Sequence, residues 1–206
     1  MPLAGRPMVE WSVAAFRAAA AVGSIVVACP PGHAHELAAR DLRVVDGGAT
    51  RSRSVSNALE AVGAELVAIH DAARPLVSPE LIEDVIATLA ADPGAAGAIA
   101  ATPLTDTVKQ ASSPALSTDD LPDAGFVVEA TLDRGRLWAA QTPQVFRVEA
   151  LREALAGDAD RVAAATDEAM LIEAAGGRVL IHPSPAENLK VTTPLDLRLA
   201  ELLLAR

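Results

Sequence analysis

Short aliphatic runs, separated by amphipathic segments with legible ends, restrict this chain's fold more than any other feature. Ser24–Cys29, Leu42–Val45, Leu66–His70, Gly97–Ala101 and Arg178–His182 are rich in Val, Ile, Leu and Ala and show no strict alternation. Consecutive apolar positions of this kind suit strands covered on both faces, as in a parallel sheet between helical layers. The segments between them carry helix punctuation. Ser78-Pro79-Glu80 supplies a cap, a proline at the first helical position and an acid in the first turn. Leu81, Ile82, Val85, Ile86 and Leu89 then line one face, and Asp92-Pro93-Gly94 stops the helix. Thr193-Pro194-Leu195-Asp196 opens a last helix with a box-like cap, and another is expected from Asp167 to Ala175, ended by Gly176-Gly177. This βαβα order predicts an α/β fold with a mainly parallel sheet and helices on both faces.

The rhythm breaks between Lys109 and Phe146. Ser112-Ser113-Pro114 and Asp119–Gly125 are turn-rich, while Phe126–Leu132 and Trp138–Phe146 read as extended. This stretch of about 109–146 is expected to leave the main sheet as a β-arm. There is no internal repeat and no linker long enough to divide the 206 residues, so one domain spanning 1–206 is expected.

Composition narrows the function classes. Apolar residues make up 51% of the chain and aromatics 2%, with no tyrosine, so the core must be aliphatic. Net charge is −10, and Lys109 and Lys190 are the only lysines among 17 cations. With no basic stripe and no aromatic stacking platform, a nucleic-acid surface is not expected. An acidic chain still binds a nucleotide where its few cations converge in one cleft. The single cysteine, Cys29, excludes an intrachain disulfide framework and fits a reducing cytoplasm. No stretch approaches a membrane span, and the N-terminus lacks a signal-peptide pattern.

Ligands of open α/β sheets bind beyond the carboxyl ends of the strands, and three candidate segments fall there. Asp46-Gly47-Gly48 leads to Arg51, Arg53 and Ser54 at a helix start, where glycines admit close backbone approach and the helix end favours phosphate. A turn that merely needs glycines explains the same residues. Asp71 follows Leu66–His70. It suits a carboxylate holding Mg²⁺ against phosphate, with Arg74 clamping an anion, and equally an Asp-Arg turn pair. His70 reads as a hydrogen-bonded turn residue. Asn188-Leu189-Lys190-Val191-Thr192 places one of the two lysines before the last helix. His33 and His35 lie in a Pro-Gly-rich loop and read as surface histidines. The chain has no GxxxxGK[ST], GxGxxG, HExxH or GxSxG motif.

Taken in order, "VVDGGATRSRSVSNAL", "VAIHDAARPLVS", "TPLTDTVK", "ATLDRGRLWAAQTPQVF", "ATDEA" and "ENLKVTTPLDL" closely resemble the cytidylyltransferase family that joins CTP to 2-C-methyl-D-erythritol 4-phosphate in non-mevalonate isoprenoid biosynthesis. The resemblance runs from Pro2 to the last helix. It implies a three-layer, Rossmann-like nucleotidyltransferase sandwich whose protruding β-arm forms a homodimer in the cytoplasm. It also implies Mg²⁺, and release of pyrophosphate from CTP as 4-diphosphocytidyl-2-C-methyl-D-erythritol forms. Carried over residue by residue, Gly48, Ser54, Asp71 and Ala72 match nucleotide-binding positions. Asp71 also matches the metal ligand, and Lys190 with Asp71 the catalytic positions. Arg74, Thr107, Arg134, Thr142, Thr166 and Lys190 match positions around the polyol phosphate, part of which comes from the partner's arm.

Members of the family begin with a central strand, a glycine-rich loop bearing an arginine, and a Pro-Lys pair ahead of the segment matched by "PLAGRP". The resemblance therefore implies an N-terminally incomplete domain, with neighbouring strands left with unpaired edges and turnover sharply reduced. Two alternatives accompany this reading: a cytidylyltransferase for another polyol phosphate such as ribitol 5-phosphate, and a non-catalytic, dimer-forming pseudoenzyme.

Overall fold

The structure, a computed structural model, describes residues 2–33, 42–112 and 126–205. Two short strands, β1 (Pro2–Leu3) and β2 (Arg6–Pro7), lead into α1 (Met8–Ala18). β3 (Ile25–Cys29), β4 (Leu42–Asp46), α2 (Arg51–Leu59), β5 (Leu66–Ile69), α3 (Pro79–Ala90) and β6 (Gly97–Pro103) follow, alternating as expected from β4 onward. Beyond the antiparallel pair β7 (Lys109–Ala111) and β8 (Val128–Thr131) come β9 (Trp138–Arg147), α4 (Val148–Leu155), α5 (Ala159–Ala164) and α6 (Glu168–Ala174). β10 (Val179–Pro183) and α7 (Pro194–Leu204) close the chain. His35 and the turn-rich residues 113–125 lie outside the described residues.

The helix punctuation acts where the sequence places it. Ser78 accepts from the Leu81 N–H, Asp167 from the Met170 N–H, and Thr193 with Asp196 forms a complete capping box. Backbone N–H groups of Thr192 and Thr193 hold the Asp196 carboxyl down to about 2.

The main sheet runs β10-β6-β9-β5, with β10 parallel to β6 and β9 antiparallel to both β6 and β5. Here the sequence reading needs correction. The arm is the β7–β8 pair, whereas Trp138–Phe146, expected on the arm, belongs to β9, a central strand of the sheet. Gln141, Thr142, Pro143 and Gln144 interrupt the apolar pattern of β9 and disguise it, yet Gln141, Thr142 and Gln144 are all buried. The main sheet is accordingly mixed rather than mainly parallel.

Side chains alternate across these strands and divide the core in two. Ala98, Ala100 and Val145 face Leu81, Ile82, Val85 and Leu89 of α3 together with Phe16 of α1. Ile99 and Phe146 face Leu59 of α2, Leu151 of α4 and Leu171 and Ile172 of α6. The result is helices, sheet and helices in three layers. Gly97 is required by this packing, because a Cβ there would stand 2.5 Å from Phe146 Cδ1.

β3 and β4 pair in parallel as a separate two-stranded sheet. Among the described residues β3 and β5 therefore each stand at a sheet edge, and a largely apolar cavity of about 530 Å³ lies between them. The cavity reaches Arg51, Ser54 and Asp71 at the carboxyl ends, so the gap and the candidate site are continuous.

Candidate active site

β5 delivers His70 and Asp71 to the turn beyond its end, and β9 fixes that turn from the neighbouring position. The Asp71 N–H donates to Thr142 Oγ1 at 3.1 Å, and Thr142 Oγ1 lies 2.9 Å from His70 Nδ1. His70 Nε2 is 3.0 Å from the Arg74 carbonyl oxygen. Burial pushes the His70 imidazole down to about 4, against the opposing effects of the Arg74 carbonyl and Asp71, so the ring is neutral near pH 7. A carbonyl only accepts, so Nε2 carries the proton and Nδ1 accepts from the Thr142 hydroxyl. The chain Asp71 N–H, Thr142, His70, Arg74 C=O is thereby directed along its whole length. His70 is the turn residue that its sequence context suggested.

Asp71 holds two cations. Lys190 Nζ stands 2.9 Å from its Oδ2, and Arg51 Nη2 stands 3.5 Å from its Oδ1. Burial opposes the charge on Asp71, but the bond to Lys190 and the attraction of Arg51 outweigh it and hold the carboxyl below its ordinary range. Lys190 is delivered by the strand-like segment before α7, where Val191 N–H donates to Ala73 O at 2.7 Å.

The glycine turn lies on the other side of Arg51, the first residue of α2. The Gly47 N–H donates to Cys29 O at 2.7 Å, and the Gly48 N–H to Ser54 Oγ at 3.0 Å. Ser54 in turn donates to Thr50 O at 3.0 Å. A Cβ on Gly48 would meet Arg53 Cγ at 2.2 Å, so the turn does need glycine there. Ser54 thus braces this turn, and Arg51 ties it to Asp71.

Arg74 is buried, and its Nη1 donates to Asn188 O at 2.8 Å. Burial lowers its pKa below that of a free arginine, with Asp71 opposing. Its Nε has no hydrogen-bond partner among the described residues. Asn188 is buried as well, its amide donating to Gln141 Oε1 and the Thr142 carbonyl, both at 2.9 Å. These bonds lock the Lys190 segment onto β9.

The structure therefore brings together Gly48, Ser54, Asp71, Arg74, Thr142 and Lys190 through Arg51 and Asn188. Ala72 is exposed beside them, and Thr166 is exposed just before the Asp167 cap. Thr107 and Arg134 sit elsewhere. Thr107 is exposed between β6 and β7, and Arg134, in the turn Arg134–Arg136, donates to the Thr105 carbonyl. Among the described residues no hydrogen bond or ion pair links these two to Asp71 or Lys190. Thr142 lies on β9 of the main sheet and not on the arm, so it reaches Asp71 within one chain.

Sequence reasoning assigned no role to Glu168 or Gln141. Glu168 is fully buried and ion-paired to Arg51. It precedes the buried Leu171 and Ile172 by three and four positions. Helical periodicity thus put an acid on an apolar face, which was the available signal.

An α/β sheet whose strand ends gather an acid between two cations, beside a glycine turn at a helix start, has the features of a protein that binds a phosphate-bearing ligand. Comparison with known proteins carries this further. The model of the family "IspD: 2-C-methyl-D-erythritol 4-phosphate cytidylyltransferase" matches residues 1–206. A 2-C-methyl-D-erythritol 4-phosphate cytidylyltransferase of Ralstonia nicotianae is 43% identical, the match covering 99% of this chain and 83% of that protein. One of Streptomyces avermitilis is 42% identical over 99% of this chain and 82% of its own length. The crystal structure of the enzyme of that name from Thermus thermophilus superposes with a TM-score of 0.80 at 32% identity, covering 100% of this chain and 92% of that one. The chain belongs to the IspD cytidylyltransferase family.

The hydroxyl of Thr142 carries a specific load, which substitution isolates. Thr142→Val leaves the half-buried Asp71 N–H without its acceptor and is expected to cost about 1 kcal/mol or more, measured by denaturant unfolding. Thr142→Ser should retain most of that stability. Equal stability of wild type and Thr142→Val would remove the directed chain from the account.

Proposed function

We propose that this chain transfers CMP from CTP to 2-C-methyl-D-erythritol 4-phosphate, giving 4-diphosphocytidyl-2-C-methyl-D-erythritol and pyrophosphate. The observation that carries the reading is Asp71 held between Lys190 and Arg51 at the end of β5, in a chain of this family. A phosphate oxygen of the acceptor forms a new bond to the α-phosphorus of CTP, and the bond to the β-phosphate breaks as pyrophosphate leaves. The nucleophile is already anionic, so the reaction asks for alignment and charge neutralisation more than for a base. That explains a site built of Lys190, Arg74, threonines and one acid, with its buried histidine neutral and committed to structure.

The residues have separate tasks. The Gly47-Gly48 turn, braced by Ser54 at the start of α2, offers backbone to the cytidine end, with Ala72 beside it. Lys190 neutralises phosphate charge at the transferring centre. Arg74, Thr142 and Thr166 lie on the acceptor side, with Thr107 and Arg134 supplied from the base of an arm.

A divalent ion fits this donor set. Among the described residues no group of three or more His, Cys, Asp and Glu is gathered for a metal. Mg²⁺ needs no such cage, since it keeps several waters and takes one or two carboxylates with the substrate phosphates. Asp71 would hold it, and the bound ion would supply charge neutralisation on the phosphates.

Phe126, Val127, Val128, Leu132 and Trp138 are exposed on and beside the arm, and this apolar surface supports a homodimer formed through it. Replacing Val127 and Val128 by Asp should turn a dimer into monomers in sedimentation. A wild type that is monomeric at assay concentration would defeat the dimer. No helix among the described residues is long and apolar enough to cross a membrane, and the lone cysteine favours a cytoplasmic enzyme.

Pyrophosphate release tests the reaction. Asp71→Asn should lower Mg²⁺-dependent turnover by about 10²–10³-fold while leaving thermal stability nearly unchanged. The rate with 2-C-methyl-D-erythritol 4-phosphate should far exceed that with ribitol 5-phosphate. Equal rates with the two polyol phosphates, or an unaffected Asp71→Asn enzyme, would reject the assignment.

A further inference from the structure

Glu168 is the most deeply buried carboxylate among the described residues, at 0% exposure. It lies 117 residues from Arg51 along the chain and forms an ion pair with Arg51 Nη1. Its other oxygen, Oε1, has no hydrogen-bond partner among the described residues. Burial raises the Glu168 pKa, and Arg51 opposes that shift. A buried ion pair with an unmet oxygen is poor support for stability, since apolar residues of similar volume do as well or better. What the pair does fix is the direction of the Arg51 guanidinium.

Arg51 has a planar guanidinium whose two terminal nitrogens diverge at a fixed angle. Nη1 is taken by Glu168, and Nη2 then points at Asp71 Oδ1, 3.5 Å away. Lys190 approaches Asp71 from its other oxygen, Oδ2, at 2.9 Å. The four groups form a row of alternating charge: Glu168, Arg51, Asp71, Lys190. Lys190 is 46% exposed at one end and Glu168 is 0% exposed at the other, so only the Lys190 end is free to rearrange.

We infer that Glu168 and Arg51 form a positioning pair that sets the orientation of the Asp71 carboxylate, leaving Lys190 as the cation that exchanges Asp71 for substrate phosphate. The inference rests on the reading of Asp71 as the group that receives a divalent ion with the nucleotide. Arg51 also belongs to the first turn of α2, so the pair sets Asp71 relative to the glycine turn that takes the nucleotide.

The test uses the intact chain and the double variant Arg51→Met/Glu168→Leu, which removes both charges and keeps the volume. Binding of Mn²⁺ in the presence of CTP, followed by electron paramagnetic resonance, should weaken by about 10–100-fold, with the melting temperature unchanged or raised. Arg51→Lys keeps the charge but lacks the fork, and should weaken Mn²⁺ binding by a similar factor while remaining folded. It should also raise the Mg²⁺ concentration needed for half-maximal rate. Wild-type Mn²⁺ binding in the double variant, or in Arg51→Lys if the double variant does not fold, would overturn the inference. A wild type that binds Mn²⁺ with CTP yet releases no pyrophosphate would instead count against the proposed reaction, because the binding comparison stands without turnover.

Discussion

The site depends on the antiparallel placement of β9 between β5 and β6. That strand puts Thr142 beside the turn that leaves β5, where its hydroxyl holds the Asp71 backbone and selects the His70 tautomer. It also presents the Thr142 carbonyl and Gln141 to Asn188, which carries the segment bearing Lys190. Asp71 and Lys190 come from chain positions far apart, and β9 is the element they share. Its burial between two helical layers, with Val145 facing one and Phe146 the other, makes the arrangement stiff.

On this scaffold the charges are arranged by burial. Glu168 lies deepest, Arg51 and Asp71 lie part-way out, and Lys190 is near the surface. Interactions strengthen inward as water is excluded, so the inner pair is fixed while the outer one is exchangeable. In the proposed reaction an incoming polyphosphate would meet a cation that has an acid to leave and an acid that remains in place. The roughly 530 Å³ cavity between β3 and β5 opens onto the same residues, so packing of the gap and order at the site are linked.

Much of this is legible in the sequence, for identifiable reasons. The caps at Ser78, Asp167 and Thr193 are local chemistry and stand where their residues indicate, as does the helix start after Gly47-Gly48. Asp71 and Lys190 stand out through family motifs, and Asp71 also through its place at a strand end. β9 is not legible as a central strand, since Gln141, Thr142 and Gln144 find side-chain partners at Ser184, His70 and Asp167, all distant in the chain. The short helices α4 and α5 carry no signal that sequence reasoning picked out. Glu168 is hidden differently: its partner Arg51 lies across the fold, and no local rule joins them.

Phosphorus NMR of a mixture of this chain, CTP, 2-C-methyl-D-erythritol 4-phosphate and Mg²⁺ addresses the central claim directly. The acceptor's monophosphate signal is expected to be replaced by the coupled pair of a diphosphate diester, with one pyrophosphate released per diester formed. Hydrolysis of CTP to CMP with the acceptor signal untouched, or a spectrum that does not change with time, would contradict it.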